Sequence, residues 1–287
     1  MHDLVLVVPC FNEARRLPLA SFHRFLRQCP DAGLLMVNDG STDDTQGCLE
    51  QLRRGSPRQV QLLNLACNVG KAEAVRRGLR AAIRSGPCYV GFWDADLATP
   101  LEACRQFRDV LRARSATLMV FGSRIPLLGR RIQRRPARQI MGRCFARAAS
   151  WVLGLPVFDT QCGAKLLRVS PQIEAALERP FLSRWIFDVE LLARLMTAER
   201  ACTTRCGEAF YELPLDVWRD VGGSKVRFRD VLRAGVELAA IYRTYRRELR
   251  VVRRSAGPFH KQWGRASGDS AAPSRPAAPR ATTRDAA

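Results

Sequence analysis

The chain reads as an α/β protein: one mostly parallel central sheet with helices on both faces. Three observations predict this. Short apolar runs recur at regular intervals, segments with helical periodicity separate them, and chemically capable residues gather just after each run. Strands alternating with helices of this length imply parallel βαβ units. Ligands of such sheets bind at the carboxyl ends of the strands.

LVLVV (4–8) reads as a first buried strand, with a helical pattern running to about Cys29. LLMVN (34–38) is a second strand, and Thr42 to Arg53 a helix with Ser and Asp at its start. VQLLNL (60–65) is a third strand, followed by a helix from about Lys71 to Arg84. YVGFW (89–93) is a fourth, with a helix from about Leu101, and TLMVFG (117–122) a fifth. Beyond residue 150 the pattern changes. DTQCGAKLLR (159–168) reads as a loop entering a strand, and Phe187 to Ala198 as a helix. Tyr211 to Trp218 is extended, and Phe228 to about Glu248 is an amphipathic helix with arginines on its polar side. The Ala-, Pro- and Arg-rich stretch 255–287 buries little and is expected to be disordered. One domain over 1–254 and a tail over 255–287 is the expected organisation.

Composition narrows the class. A hydrophobic share of 47% over 287 residues suffices for one large core. No apolar run approaches the ~20 residues of a membrane span, and LVLVVPCF is too short for a signal peptide's apolar region. A cytoplasmic chain is therefore expected, and its 10 cysteines are expected to be reduced and mostly buried. The net charge of +20 points to anionic partners. It is uneven: eight arginines lie from Arg124 to Arg147, and no acid stands between Asp109 and Asp159. That segment suits a phosphate-rich surface; a solvated basic helix face is the plainer alternative.

Residues at the expected strand ends carry the chemistry. Asp94 and Asp96 flank Ala95 just past the fourth strand. Two carboxylates so close repel unless a cation or hydrogen bonds compensate. A hard ion, Mg2+ or Mn2+, shared with substrate phosphates would do so; acidic capping of a turn or helix is the alternative. In VNDGSTDDT (37–45), Gly40 permits a tight turn and Asp39 could meet ribose hydroxyls, although strand–turn–helix capping explains the same residues. NVGKAEAVRRG (68–78) departs from the G-x-x-x-x-G-K-[ST] phosphate loop, and no GxGxxG occurs. Neither a P-loop ATPase nor a dinucleotide-dependent dehydrogenase is supported.

PCFNE, NDGSTDDT, NVGKAEA, DADL and GSR, in this order, resemble the family 2 glycosyltransferases of the GT-A fold. DTQCGAKLL, RWIFDVELLARL and GGSK resemble the branch that charges polyprenyl phosphates, and within it the dolichyl-phosphate β-glucosyltransferases. The resemblance covers roughly residues 3–250. It implies that Pro9, Phe11 and Glu13 form a first nucleotide-binding motif, and that Val37 and Asp39 contact base and ribose. Lys71 belongs to the same nucleotide-sugar set. Asp94, Ala95 and Asp96 would hold metal and diphosphate, and Arg124 a phosphate. Arg219 and Lys225 would clamp phosphate from a late loop. Asp159 would face the reaction centre, with Gln161 and Lys165 shaping the pocket. Arg135 and Arg138 are candidates for the acceptor's phosphate. In mannose-transferring relatives a Gln two residues after the second Asp also ligands the metal; here that place is Ala98, which favours the glucose-like branch.

The expectation is an inverting hexose transfer, with UDP-glucose as donor and a polyprenyl phosphate as acceptor, at an anionic membrane surface that the basic stretches 130–150 and 226–250 would grip. GDP-mannose as donor, or a saccharide or soluble acceptor, is the nearest rival. A nucleic-acid partner is not expected, since no base-reading module accompanies the charge.

Overall fold

The structure, a computed structural model, describes residues 2–198, 208–221 and 228–256. Its elements are β1 (Leu4–Cys10), α1 (Leu19–Gln28), β2 (Ala32–Asn38), α2 (Thr45–Gly55), β3 (Val60–Asn64), α3 (Lys71–Ile83), β4 (Tyr89–Trp93), α4 (Cys104–Ala113), β5 (Met119–Ser123), β6 (Arg131–Gln133), α5 (Pro136–Leu153), β7 (Ala164–Arg168), α6 (Pro171–Glu178), α7 (Phe187–Ala198), β8 (Phe210–Pro214), β9 (Val217–Arg219) and α8 (Phe228–Ala256). A 7-stranded sheet has the order β3-β2-β1-β4-β7-β5-β8, and β6 and β9 form a separate parallel ribbon.

Within the sheet, only β7 runs against its neighbours β4 and β5. Residues of β1 alternate between the faces, as a two-residue period requires. Leu4, Leu6 and Val8 join Phe22, Phe25, Leu49, Leu52, Phe107 and Trp93 under α1, α2 and α4. Val5 and Val7 join Val75, Leu79, Phe92, Phe187 and Leu191 under α3 and the later helices. Burial on both faces explains why the strands read as continuous apolar runs rather than alternating ones. The expected α/β class and two-sided helix layers are present.

Several features go beyond the sequence pattern. It does not announce β6 or α6, it reads Tyr211–Trp218 as one extended stretch where the structure has β8 and β9, and it gives no sign that β7 inserts antiparallel between β4 and β5. Helix α8 reaches Ala256, just past the expected tail boundary, and residues 257–287 lie outside the described residues. The cysteine expectation is half right. Cys10, Cys29, Cys104 and Cys162 are buried, but Cys67, Cys88 and Cys144 are exposed. No described helix is long and apolar enough to cross a membrane.

Candidate active site

The register sets the site. Cys10 pairs with Asn38 and Asn38 with Asn64, so β1, β2 and β3 end together. Trp93 of β4 pairs with Ala164, the first residue of β7. Because β7 is reversed, its beginning meets the ends of the other strands. The loop 159–163 thereby reaches the same edge as Asp94.

The loops after β1 and β2 are knitted together. Asn12, at φ 53, accepts from the Thr42 amide at 2.8 Å and donates its own amide to Ser41 Oγ at 3.1 Å. The Glu13 and Ala14 amides donate to Thr45 Oγ1 and Asp43 Oδ2. Most of NDGSTDDT is therefore spent on loop structure. Gly40 has φ 62, and a side chain there would strike the backbone at Cys67 and Asn68. Its lack of one lets the β2 and β3 loops touch. Asp39 then spans that contact, accepting from the Val69 and Gly70 amides at 2.8 and 2.9 Å.

This clamp positions Lys71, the first residue of α3, whose Nζ meets Asp94 Oδ1 at 2.5 Å. Against a desolvation cost, Asp94, Asp188 and Asp96 raise the pKa of Lys71, whose side chain stays 44% exposed. The Asp94 amide donates to the Gly163 carbonyl at 2.9 Å. The Asp94–Leu97 turn is tight, with Leu97 at φ 50, strained for a non-glycine. The Ala98 amide donates to Asp96 Oδ1 at 3.0 Å. Burial, and after it the Asp94 charge, push the Asp96 carboxyl above its ordinary range, against that hydrogen bond.

Arg124 follows β5 and grips Asp159 with two nitrogens, Nε to Oδ2 at 2.6 Å and Nη2 to Oδ1 at 2.7 Å; its amide adds a third bond. Burial would raise the Asp159 carboxyl, but Arg124, with Arg134 beyond it, holds it below the usual range. A carboxylate so stabilised is a weak base. Glu212 on β8 anchors the same loop by accepting from the Phe158 and Asp159 amides at 2.8 and 2.7 Å. Behind it, the fully buried Lys165 pairs with Asp188 at 2.6 Å and donates to the Cys162 carbonyl.

The remaining expected residues fall as follows. Pro9 and Phe11 lie at the end of β1, with Phe11 exposed. Glu13 pairs with Arg16 at 2.7 Å and keeps one buried oxygen unpartnered. Val37 is fully buried, and its side chain packs toward Gly78 of α3. Its side chain is core, which leaves only its main chain for a nucleotide. Ala95 is buried in the core under α1 and α4. Arg219 ends β9, and its amide donates to the Ala98 carbonyl at 3.0 Å, tying the small ribbon to the Asp94–Asp96 turn. Arg138 is engaged by Asp220 at 2.6 Å, and Arg135 lies 3.9 Å from the same carboxylate. Lys225 lies outside the described residues.

Three residues escaped the sequence reading. A Cβ at Gly163 would fall on the Asp94 carboxylate, so this glycine makes the space that Asp94 occupies. The only available signal was a glycine directly before a buried strand. Glu212 shows no local signal, because its partners are 53 and 54 residues away in sequence. Arg184 reaches the Val69 carbonyl at 3.3 Å, above Gly70. Its loop is pinned by Glu190, which accepts from the Leu182 and Ser183 amides, and by Glu237, which takes Ser183 Oγ at 2.5 Å. Glu190 also pairs with Arg194 at 2.7 Å.

A mostly parallel sheet carrying an Asp-Ala-Asp turn at its C-terminal edge, with Lys71 on one flank and Arg124 on the other, defines a glycosyltransferase of the GT-A fold. The profile described as glycosyl transferase family 2 matches residues 5–171, and the chain belongs to that family. A dolichyl-phosphate β-glucosyltransferase of Drosophila melanogaster is 30% identical over 85% of this chain and 75% of its own length. One of Trichomonas vaginalis is 28% identical over 87% and 74%. Among solved structures, glucosyl-3-phosphoglycerate synthase from Mycobacterium tuberculosis, in complex with Mn2+, UDP and glucosyl-3-phosphoglycerate, superposes with a TM-score of 0.55 at 19% identity, over 88% of this chain and 80% of that one. At that identity the likeness establishes the fold alone.

Proposed function

We propose that this enzyme transfers glucose from UDP-glucose to a polyprenyl phosphate, with inversion, at the cytoplasmic surface of a membrane. The observation that carries the reading is the meeting of the Asp94–Asp96 turn and the Arg124–Asp159 pair at one sheet edge. The names of the similar dolichyl-phosphate β-glucosyltransferases support the sugar and the acceptor class.

The donor set fits a hard divalent ion, Mg2+ or Mn2+. Asp94 and Asp96 stand one residue apart in the turn, where burial, with the Asp94 charge a lesser cause, raises the Asp96 carboxyl, and no group of three His, Cys, Asp or Glu ligands exists among the described residues. Such ions are commonly held by one or two carboxylates, with substrate phosphates and water completing the shell. Asp94 and Asp96 would hold the ion, which when bound neutralises charge on the diphosphate. Lys71 stands beside Asp94 to receive a phosphate oxygen. An acceptor phosphate oxygen attacks the anomeric carbon, the bond from that carbon to the β-phosphate oxygen breaks, and UDP leaves with the electron pair. A phosphate nucleophile is already ionised near neutral pH, so no strong base is required. Asp159, held low by Arg124, orients and fixes charge instead. Catalysis rests on positioning and electrostatics.

Membrane contact fits the outer face of α5. Ile140, Cys144 and Trp151 are exposed along it, interleaved with exposed Arg143 and Arg147, and Leu127 and Leu128 protrude just before β6. Exposed arginines at 243, 246, 247 and 250 add charge on α8. Apolar residues among arginines on one surface suit an anionic bilayer interface.

The test is transfer of label from UDP-glucose, with Mn2+ or Mg2+, to a polyprenyl phosphate in detergent, beside Asp96→Ala. Labelled lipid, lost in the variant or with chelator, is the expected result. UDP-glucose turnover without labelled lipid would overturn the acceptor, and transfer only from GDP-mannose would overturn the donor.

A further inference from the structure

Loop 179–186 joins α6 to α7, and charged side chains from three helices hold its main chain. Arg76 of α3 donates to the Leu177 and Glu178 carbonyls at 2.9 and 3.0 Å. Arg194 of α7 donates to the Ala176, Arg179 and Pro180 carbonyls at 2.9, 2.6 and 2.6 Å. Glu190 of α7 accepts from the Leu182 and Ser183 amides at 2.8 and 3.1 Å. Glu237 of α8 accepts from Ser183 Oγ at 2.5 Å and from the Trp185 amide at 3.2 Å. A loop tied in this way has given up its freedom before any ligand arrives. What it presents is Arg184, an exposed side chain whose guanidinium lies on the turn between β3 and α3. A Cβ at Gly70 would stand 3.1 Å from one of its nitrogens. Among the described residues, its one hydrogen bond is a long one to the Val69 carbonyl at 3.3 Å, and no carboxylate pairs with it.

The segment from Arg184 to Asp188 borders the site from one flank to the other. At one end Arg184 covers Gly70, the residue before Lys71. Ile186 and Phe187 between them are buried. At the other end Asp188 pairs with Lys165 at 2.6 Å, and Lys165 donates to the Cys162 carbonyl at 2.6 Å, behind the loop that carries Asp159. In the proposed reaction the diphosphate sits at Lys71 and the Asp94–Asp96 turn, and the acceptor's oxygen arrives at the Arg124–Asp159 pair. The hexose joins the two, along the side that this segment borders. Arg184 is exposed and hydrated, so its ligand need not be an anion; a neutral polyol suits it. The planar fork of a guanidinium can meet two adjacent hydroxyls at once. We infer that Arg184 binds hydroxyls of the donor's hexose and sets which sugar is transferred. This rests on the proposed transfer from a nucleotide sugar. A rigid loop serves such selection, because a hydroxyl that is missing or inverted leaves its donor unpaired and the loop cannot follow it.

The experiment compares wild type, Arg184→Gln and Arg184→Lys, with Tm from circular dichroism as the check on folding. Calorimetry with Mn2+ gives Kd for UDP-glucose and for UDP alone. Transfer to a polyprenyl phosphate in detergent gives kcat/KM for UDP-glucose and for its 4-epimer, UDP-galactose. Arg184→Gln is expected to weaken UDP-glucose about tenfold, the scale of one hydrogen bond from a charged group, while UDP stays within twofold. The preference for glucose over galactose in kcat/KM should fall severalfold, and Arg184→Lys should restore part of both losses. An equal loss for UDP and UDP-glucose would put Arg184 on the nucleotide or its diphosphate and overturn the assignment. Unchanged UDP-glucose binding and sugar preference in folded Arg184→Gln overturns it as well, and leaves the reaction standing. A wild type that binds GDP-mannose but not UDP-glucose overturns the proposed donor alone, and the same comparison of GDP-mannose with GDP then decides Arg184. A wild type that binds no nucleotide sugar overturns both.

Discussion

Replacing Gly163 with alanine should disable the site while changing a single methyl group. The added Cβ would land on the Asp94 carboxylate, and the nearest neighbours of that position are all Asp94 side-chain atoms. Ordinary carbon contacts stand about 3.5–4.0 Å apart, so the overlap exceeds ~1 Å. The backbone at Gly163 does not demand a glycine conformation, so the effect is steric alone. Either Asp94 rotates away, or the chain shifts and breaks the bond from the Asp94 amide to the Gly163 carbonyl. A displacement of ~1 Å at reacting groups costs about 100-fold in rate. Overpacking adds about 1–3 kcal/mol of destabilisation. The assay is glucosyl transfer at saturating donor and metal, with Tm from circular dichroism and donor affinity from calorimetry. A roughly 100-fold loss with weakened metal-dependent donor binding and a modest fall in Tm is expected. Activity within threefold of wild type, at unchanged Tm, would refute the placement of Asp94 against Gly163.

Two other perturbations test different parts of the molecule. Asp159→Asn leaves the partly buried Arg124 without its counter-charge and should cost about 3 kcal/mol at neutral pH. Because the folded Asp159 pKa lies below its ordinary value of 3.8, that contribution is complete above the ordinary value and fades as pH falls from there through the depressed one. Thermal scans from pH 8 to 3 should show a constant gap between variant and wild type that closes only at the acid end; a gap closing near pH 6 would contradict the assignment. For the membrane surface, Leu127→Ser with Leu128→Ser removes two protruding side chains, each contributing about 1.5–3 kcal/mol when buried. Binding to anionic vesicles should fall at least tenfold while detergent-based transfer persists, and undiminished vesicle binding would move the contact elsewhere.

Most of the first half was legible because local patterns carry it. Apolar runs buried on both faces name the strands, and the turn residues that follow mark the edge where a ligand binds. The Asp94–Asp96 pair was visible as two charges beside a buried run, with acidic capping of a turn as the competing reading. The second half was harder. Strand β7 is apolar like the others, and nothing in a strand's composition records which way it runs. Its reversal nevertheless brings Asp159 and Gly163 to the site. Arg135 and Arg138 are acceptor-phosphate candidates by their place in an acid-free stretch; what that stretch does not record is Asp220, more than 80 residues later, which pairs with Arg138 and lies 3.9 Å from Arg135.

The sequence by itself determined the α/β class, the order of the first five strands, the paired carboxylates and the family resemblance. These depend on short-range periodicity and on residue types at fixed spacing. Tertiary structure alone decided which charges are satisfied and which remain open. Asp39 serves the β3 loop, Val37 belongs to the core, Asp159 is bound by Arg124, and Arg134 meets no partner among the described residues. Each depends on contacts between segments tens of residues apart, where a charge's role is set by the nearest opposite charge in space rather than in sequence.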